Sequence, residues 1–346
     1  MRFRQLVLYV VLFFLMIGWE SESQLFGQPN DQKGSSPSIE PLQTISFTFD
    51  DVDRYPVITA IAFTTDNRVI LGGDDHQISV WNTETGELQK QFYAHNDWIK
   101  AIALSPNYQE SPTLGQLATV GHDGTIKIWN VNDFSLLKTL PEKVLGAEAL
   151  AFSPNGKVLA VCGFKDQMFI FDAVQGTLIT QWKTPGSNMN TVQFSPDGKL
   201  VAAAGRTGTV RIWDTRSGQI KYDLKNDERR VHAVSFSPNG QFLAVGGEGN
   251  TIVIWDLTNG QQNKVLSTGK GKTFSLIYCK DSLLVSGDSF NTIRIWNLET
   301  AKEIAHGGGH TGTIATLLFD AAKNIVISGS FDTTVRFWNL ENKTSL

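Results

Sequence analysis

An all-β protein assembled from seven copies of one small antiparallel sheet is the fold class this sequence predicts, and three observations predict it. The segment Ala151-Phe152-Ser153-Pro154-Asn155-Gly156 returns as Gln193-Phe194-Ser195-Pro196-Asp197-Gly198 and as Ser235-Phe236-Ser237-Pro238-Asn239-Gly240, each time 42 residues on. An aromatic marker inside an apolar-Trp-Asp/Asn motif recurs at Trp81, Trp129, Phe171, Trp213, Trp255, Trp296 and Trp338. Within each copy, runs such as Ala233-Val234-Ser235-Phe236, Phe242-Leu243-Ala244-Val245 and Thr251-Ile252-Val253-Ile254-Trp255 lie between Pro-Asn-Gly and Gly-Glu-Gly-Asn turns. β-Branched alternation bounded by Gly, Pro and Asn specifies strands, and no window sustains a helical apolar period.

The markers are 48, 42, 42, 42, 41 and 42 residues apart, a period that helical-hairpin repeats of about 34 residues do not have. The long first interval has a visible cause in a polar insertion around Asn107-Tyr108-Gln109-Glu110-Ser111-Pro112. On these residues the chain resembles the WD-repeat family over roughly residues 43–346. That resemblance implies a seven-bladed β-propeller of four-stranded antiparallel blades around a channel.

A ring of blades must close or leave backbone unpaired at its ends. Few residues follow Trp338, whereas Thr44-Ile45-Ser46-Phe47-Thr48-Phe49 alternates cleanly ahead of the first copy. The N-terminal strand is therefore expected to pair with the last blade.

Ahead of the repeats, Arg2 and Arg4 precede an apolar run from Leu6 to Trp19, followed by Glu20-Ser21-Glu22-Ser23. This is the layout of an export signal. As a helix the run would rise about 21 Å, short of the ~30 Å hydrocarbon core of a bilayer. Residues 1–23 are read as a signal cleaved after Ser23, with a retained short anchor as the alternative. Either reading puts the propeller outside the cytoplasm, periplasmic or secreted, and limits membrane contact to this segment. Residues 24–42 are rich in Gly, Pro, Ser and Asn and are expected to form a flexible leader.

With 41% hydrophobic and 10% aromatic residues the chain can build a large core, and a formal charge of −4 gives no general attraction to nucleic acid. The resemblance also implies a stabilising tetrad of His, Ser or Thr, Asp and Trp. Two copies contain all four: His95, Thr119, Asp123 and Trp129, and His310, Ser328, Asp332 and Trp338. Such a set satisfies a buried indole N–H and holds a neutral imidazole in one tautomer. Its recurrence at equivalent positions fits a repeated support rather than a hydrolase triad.

Other suggestive groups do not carry chemistry. Gly269-Lys270-Gly271-Lys272-Thr273 lacks the leading glycine of a phosphate loop, Leu266 standing there, and precedes a strand rather than a helix. His306 and His310 flank three glycines, but His310 belongs to a tetrad, so no metal is expected. Asp50, Asp51 and Asp53 lack the spacing of a calcium loop. Cys162 and Cys279 lie in the third and sixth copies, too far apart on a ring to bridge. No cofactor is expected.

In the resembled family the partner surface is built from the loops entering the first strand and the turns after the second. By register these positions are Val57, Trp98, Gly146, Asn188, Arg230, Lys272 and Thr313, and Asp74, His122, Phe164, Arg206, Glu248, Ser289 and Phe331. Large apolar side chains at turns are costly unless covered, which singles out Trp98, Phe164 and Phe331 as anchors, with Arg206, Arg230 and Lys272 as a basic sector. The function expected is a non-catalytic, monomeric protein-interaction scaffold acting through the channel-mouth face. The alternatives are a small-ligand or glycan-binding sensor and a propeller enzyme using the same mouth. An enzyme would need titratable residues clustered away from the repeat positions; beyond His122 and His232 the sequence offers none.

Overall fold

The alternating runs fold as strands because one face of each is apolar and buries against a neighbouring sheet. A computed structural model of the protein describes residues 36–46, 56–106, 115–226, 229–269 and 271–340. Its strands form seven sheets, six of four strands and one of five. In chain order the blades run Ile58–Tyr93, Ile99–Thr139, Ala147–Lys183, Met189–Lys225, Val231–Ser267, Thr273–Gly307 and Ile314–Asn339, and are numbered 1 to 7 below. Within each blade successive strands pair antiparallel. The signal segment, Phe47–Phe49 of the closing strand, Asp50, Asp51, Asp53, the insertion at 107–112 and Lys270 lie outside the described residues.

The core is seven separate clusters, one for each interface between consecutive blades. Each marker aromatic packs against the preceding blade: Trp129 beside Ile70 and Ile78 of blade 1, Phe171 beside Ile126 and Ile128 of blade 2, Trp338 beside Val285 and Ile293 of blade 6. Trp81 packs with Ile327 and Val335 of blade 7, which makes the ring continuous. The period in sequence is thus a period in packing, since a single blade cannot bury both its faces. Near the axis the blades approach closely. A Cβ added at Gly72 would lie 2.7 Å from Ile99 Cγ2 of the next blade, so this inner position admits no larger residue without movement.

The N-terminal strand closes the ring as expected: Gln43–Ser46 pairs antiparallel with Thr334–Phe337, and Ile45 is buried in the interface between blades 7 and 1. Gln43 Nε2 also donates to the Thr83 carbonyl of blade 1 at 2.7 Å. One difference from the sequence reading concerns the leader. Ser38–Ile39 adds a fifth, parallel strand to the outer edge of blade 6, opposite His306 and Gly307. The His306 amide donates to the Pro37 carbonyl at 3.1 Å, Ser36 Oγ lies 2.9 Å from His306 Nδ1, and the Ser36 hydroxyl also meets Glu303. The compact unit that holds the blades thus includes Ser36–Ile39. An edge strand supplies unpaired backbone groups to any extended segment, whatever its composition, which is why a Ser/Pro-rich stretch reads as leader and yet pairs.

Candidate functional site

All seven first strands share one irregularity. Register slips by a residue between Ile58 and Ala60, Ile99 and Ala101, Ala147 and Ala149, Met189 and Thr191, Val231 and Ala233, Thr273 and Ser275, and Ile314 and Thr316. Each slip is a β-bulge, which re-aims the unpaired side chain. The residues re-aimed are Thr59, Lys100, Glu148, Asn190, His232, Phe274 and Ala315. All seven line one cavity of about 770 Å³ at the mouth of the channel.

These side chains stitch neighbouring blades together. Lys100 Nζ lies 3.0 Å from Glu148 Oε2, Asn190 Nδ2 donates to the Val231 carbonyl at 3.0 Å, and Thr59 Oγ1 donates to the Ile99 carbonyl. His232 stacks on Phe274 with ring centroids 4.5 Å apart. Burial holds the His232 imidazole down to about 4; Arg230 and Lys272 push the same way, and Glu248, whose Oε1 is 3.8 Å from Nε2, opposes them. At neutral pH the ring therefore offers an internally compensated ion pair, an amide and a neutral imidazole. The bulges bring Lys100, Glu148 and His232 of blades 2, 3 and 5 to one cavity, at equivalent register positions of the repeat rather than away from them. In five blades a polar residue interrupts the apolar first strand one place after its start, but the face it takes is set by the bulge and not by that pattern.

The rim above the ring is built from the two loop positions of each blade. The residue after the second strand donates its amide to the carbonyl of the residue before the first: Asp74 to Val57, His122 to Trp98, Phe164 to Gly146, Arg206 to Asn188, Glu248 to Arg230, Ser289 to Lys272 and Phe331 to Thr313, at 2.8 to 3.4 Å. The two sets of positions read by register are thus bonded pairwise in every blade. Trp98, Phe164 and Phe331 are 46%, 48% and 42% exposed. Phe164, Arg230 and Phe331 also line the mouth cavity, whereas Trp98, Arg206 and Lys272 do not. The basic sector is only partly free: Lys272 Nζ lies 3.3 Å from Glu248 Oε1. Sequence reasoning also missed Leu145 and Phe290, exposed in loops of blades 3 and 6, because neither falls on a register position.

The tetrads brace two of the anchors. Trp129 Nε1 donates to Thr119 Oγ1 at 2.9 Å, Thr119 lies 2.8 Å from His95 Nε2, and His95 Nδ1 lies 3.3 Å from Asp123 Oδ1. Asp123 Oδ2 then accepts the Asn96 amide at 2.9 Å, fixing the loop that carries Trp98. In blade 7, Trp338, Ser328, His310 and Asp332 repeat the chain at 2.8, 2.8 and 2.9 Å, and Asp332 accepts the Thr311 amide next to Phe331. Burial holds His95 down to about 4 against the pull of Asp123. For Asp332 burial acts upward, but hydrogen bonds from His310, the Thr334 hydroxyl and the Thr311 amide outweigh it and hold the carboxyl well below its usual range.

A third indole bond escaped the sequence reading: Trp296 Nε1 donates to Ser286 Oγ at 2.9 Å in blade 6 without a histidine. Phe164 has no tetrad beneath it and rests edge-on against His122, centroids 5.3 Å apart. It lies over Gly146, where a Cβ would come within 2.4 Å of its ring.

Among the described residues no group of three or more His, Cys, Asp and Glu is placed to hold a metal ion. Cys162 and Cys279 are free and buried, and burial pushes both thiols up. No helix among the described residues is long and apolar enough to cross a membrane. The opposite mouth is a cavity of about 790 Å³ walled largely by Ile61, Ile102, Leu150, Phe152, Leu318 and Phe319, with none of the polar ring.

Comparison with known proteins agrees with this architecture. The family described as IFT122 first beta-propeller matches residues 57–339. Curated relatives include protein hir1 of Schizosaccharomyces pombe, 28% identical over 41% of this chain and 13% of that protein. Others are the small ribosomal subunit protein RACK1 of Caenorhabditis elegans, 27% identical over 33% of this chain and 34% of that protein, and the p21-activated protein kinase-interacting protein 1-like of Xenopus laevis, 29% identical over 30% and 27%. The matched segments span about a third or less of each relative's length.

Proposed function

Because the chain belongs to the family of the IFT122 first beta-propeller, a WD-repeat propeller, we propose that it is a protein-interaction scaffold whose partner docks on the channel-mouth face, outside the cytoplasm. The observation that carries this reading is the convergence of seven bulge side chains and three exposed aromatic anchors on one face. Exposed apolar residues grouped at a concave mouth mark interaction sites, whereas scattered ones do not. The relatives point the same way, one being named for its interaction with a kinase and another as a ribosomal subunit protein. The chemistry of the mouth supports binding over catalysis. Its ion pair is self-compensated, its imidazole is buried and a weak base, and its Thr59 hydroxyl is committed to backbone carbonyls.

The export reading rests on Arg2, Arg4 and the Leu6 to Trp19 run. Mass spectrometry of the exported protein is expected to give an N-terminus at Gln24; an intact Met1 would refute cleavage. The docking reading is tested by quantitative capture with the wild type, with Phe164→Ala/Phe331→Ala, and with an opposite-face control, Asn155→Ala/Asn239→Ala. Loss of the same captured proteins only in the first variant is expected, and equal capture by all three would refute it. The mouth cavity, within the ~300–1,000 Å³ range of ligand pockets, favours a small-ligand sensor as the second reading.

A further inference from the structure

The mouth cavity is not evenly charged. Lys100 and Glu148 compensate each other, and His232 stacks on Phe274 away from any anion closer than 3.8 Å. Glu248 lies outside the lining and is held by Lys272. That leaves Arg230, for whose guanidinium the described residues supply no ion-pair partner, as the uncompensated charge of the mouth. Around the ring it stands two blades from Phe164 and two from Phe331, and all three line the same cavity. Whatever enters along the axis meets one cation and two phenyl faces, with the Asn188 and Asn190 amides between blades 3 and 5.

Apolar surface also continues outside the cavity on the same face, at Trp98, Leu145 and Phe290, the last two 57% and 59% exposed. A small molecule confined to the mouth would leave these uncovered; a polypeptide crossing the face would bury them.

We propose that the partner presents an extended acidic segment, placing an Asp or Glu carboxylate on Arg230 and adjacent apolar side chains on Phe164 and Phe331. This rests on the channel-mouth reading and names the partner's chemistry. A guanidinium at the edge of a low-dielectric mouth binds a carboxylate in a bidentate fork, and aromatic walls reward an apolar neighbour.

The test is a selection of phage-displayed random 12-residue peptides on the full-length protein. Enriched peptides are then measured by fluorescence anisotropy against the wild type, Arg230→Gln, Arg230→Glu and Phe164→Ala/Phe331→Ala, each checked for unchanged thermal unfolding. The expected result is an excess of Asp and Glu within a few positions of Phe, Leu or Ile. Affinity should fall at least tenfold in Arg230→Glu, less in Arg230→Gln, and weaken with salt. Replacing the peptide's acidic residues by Lys should restore binding to Arg230→Glu. Peptides without acidic excess that still need Phe164 and Phe331 would overturn the acidic segment and leave the docking face standing. Peptides indifferent to all three variants would overturn both. Preferential binding of a labelled single-stranded oligonucleotide would overturn the proposal in favour of a polyanion site.

Discussion

Trp338 donates its indole N–H to Ser328 Oγ at 2.8 Å, a bond that Trp255 lacks because Val245 stands at the equivalent place in blade 5. The Trp255 indole N–H is buried without an acceptor among the described residues. Blades 2, 6 and 7 place Thr119, Ser286 and Ser328 at the fourth position of the second strand, and these three bond their indoles. Removing the acceptor from a buried donor costs about 1–3 kcal/mol. Ser328→Ala is therefore expected to lower stability by that amount in denaturant unfolding, with a larger loss than Ser286→Ala, since Ser328 also serves His310. Val245→Thr, which gives Trp255 an acceptor, is expected to be neutral or to stabilise by up to about 1 kcal/mol. A loss above 1 kcal/mol would contradict the equivalence.

Acid sensitivity follows from His95 and His232, both held down to about 4. In the unfolded chain an imidazole takes up a proton near pH 6.5. Between about pH 6.5 and 4 the unfolded state thus binds protons that the folded state refuses, so stability falls as pH falls through that window and rises with pH across it. The slope should flatten below about pH 4 as far as these two groups contribute. Replacing His232 by Gln is expected to reduce the slope of unfolding free energy against pH; an unchanged slope would show that His232 titrates normally when folded.

Ring closure separates into two parts. Ile45→Asp places a carboxylate in the interface between blades 7 and 1, an uncompensated buried charge costing several kcal/mol. Aggregation or a large drop in melting temperature is expected on size-exclusion chromatography and thermal unfolding. Substituting Ser36 and Ile39 by Gly loosens the added edge of blade 6 and the packing of Ile39 on the cluster between blades 6 and 7, and is expected to cost less than Ile45→Asp because no charge is buried.

The anchors of the rim should be separable from stability. Glu248 and Arg230, like the other six loop pairs, are joined through backbone atoms, which side-chain replacement leaves intact. Trp98→Ala, Arg206→Ala and Arg230→Ala are expected to shift unfolding free energy by about 0.5 kcal/mol or less. A larger loss would assign these side chains to packing rather than to a partner.

The ring was legible because its cause is local and repeated: each Trp or Phe marker is also the packing element against the preceding blade, so the sequence period and the interface period coincide. The two sets of loop positions were legible by the same arithmetic; that they bond pairwise, as Phe331 does with Thr313, came from the structure. The ring of side chains inside the mouth was not, because a β-bulge at Lys100, Glu148 or His232 depends on register against the second strand. Alternation alone assigns such residues to the wrong face. The added strand at Ser38–Ile39 was hidden for a related reason, since its pairing with His306 and Gly307 runs through backbone atoms, which leave no mark on composition.

The claim that most depends on all of this is that a partner covers the channel mouth. Placing a photo-crosslinking phenylalanine analogue at position 331 on the rim, or at position 155 in the turn between the first two strands of blade 3, and irradiating the protein in its native setting tests it directly. A discrete cross-linked protein from position 331 that is absent from position 155, and absent again when Arg230→Glu is added, is the result expected. Cross-links from position 155 alone, or from both positions alike, would contradict it.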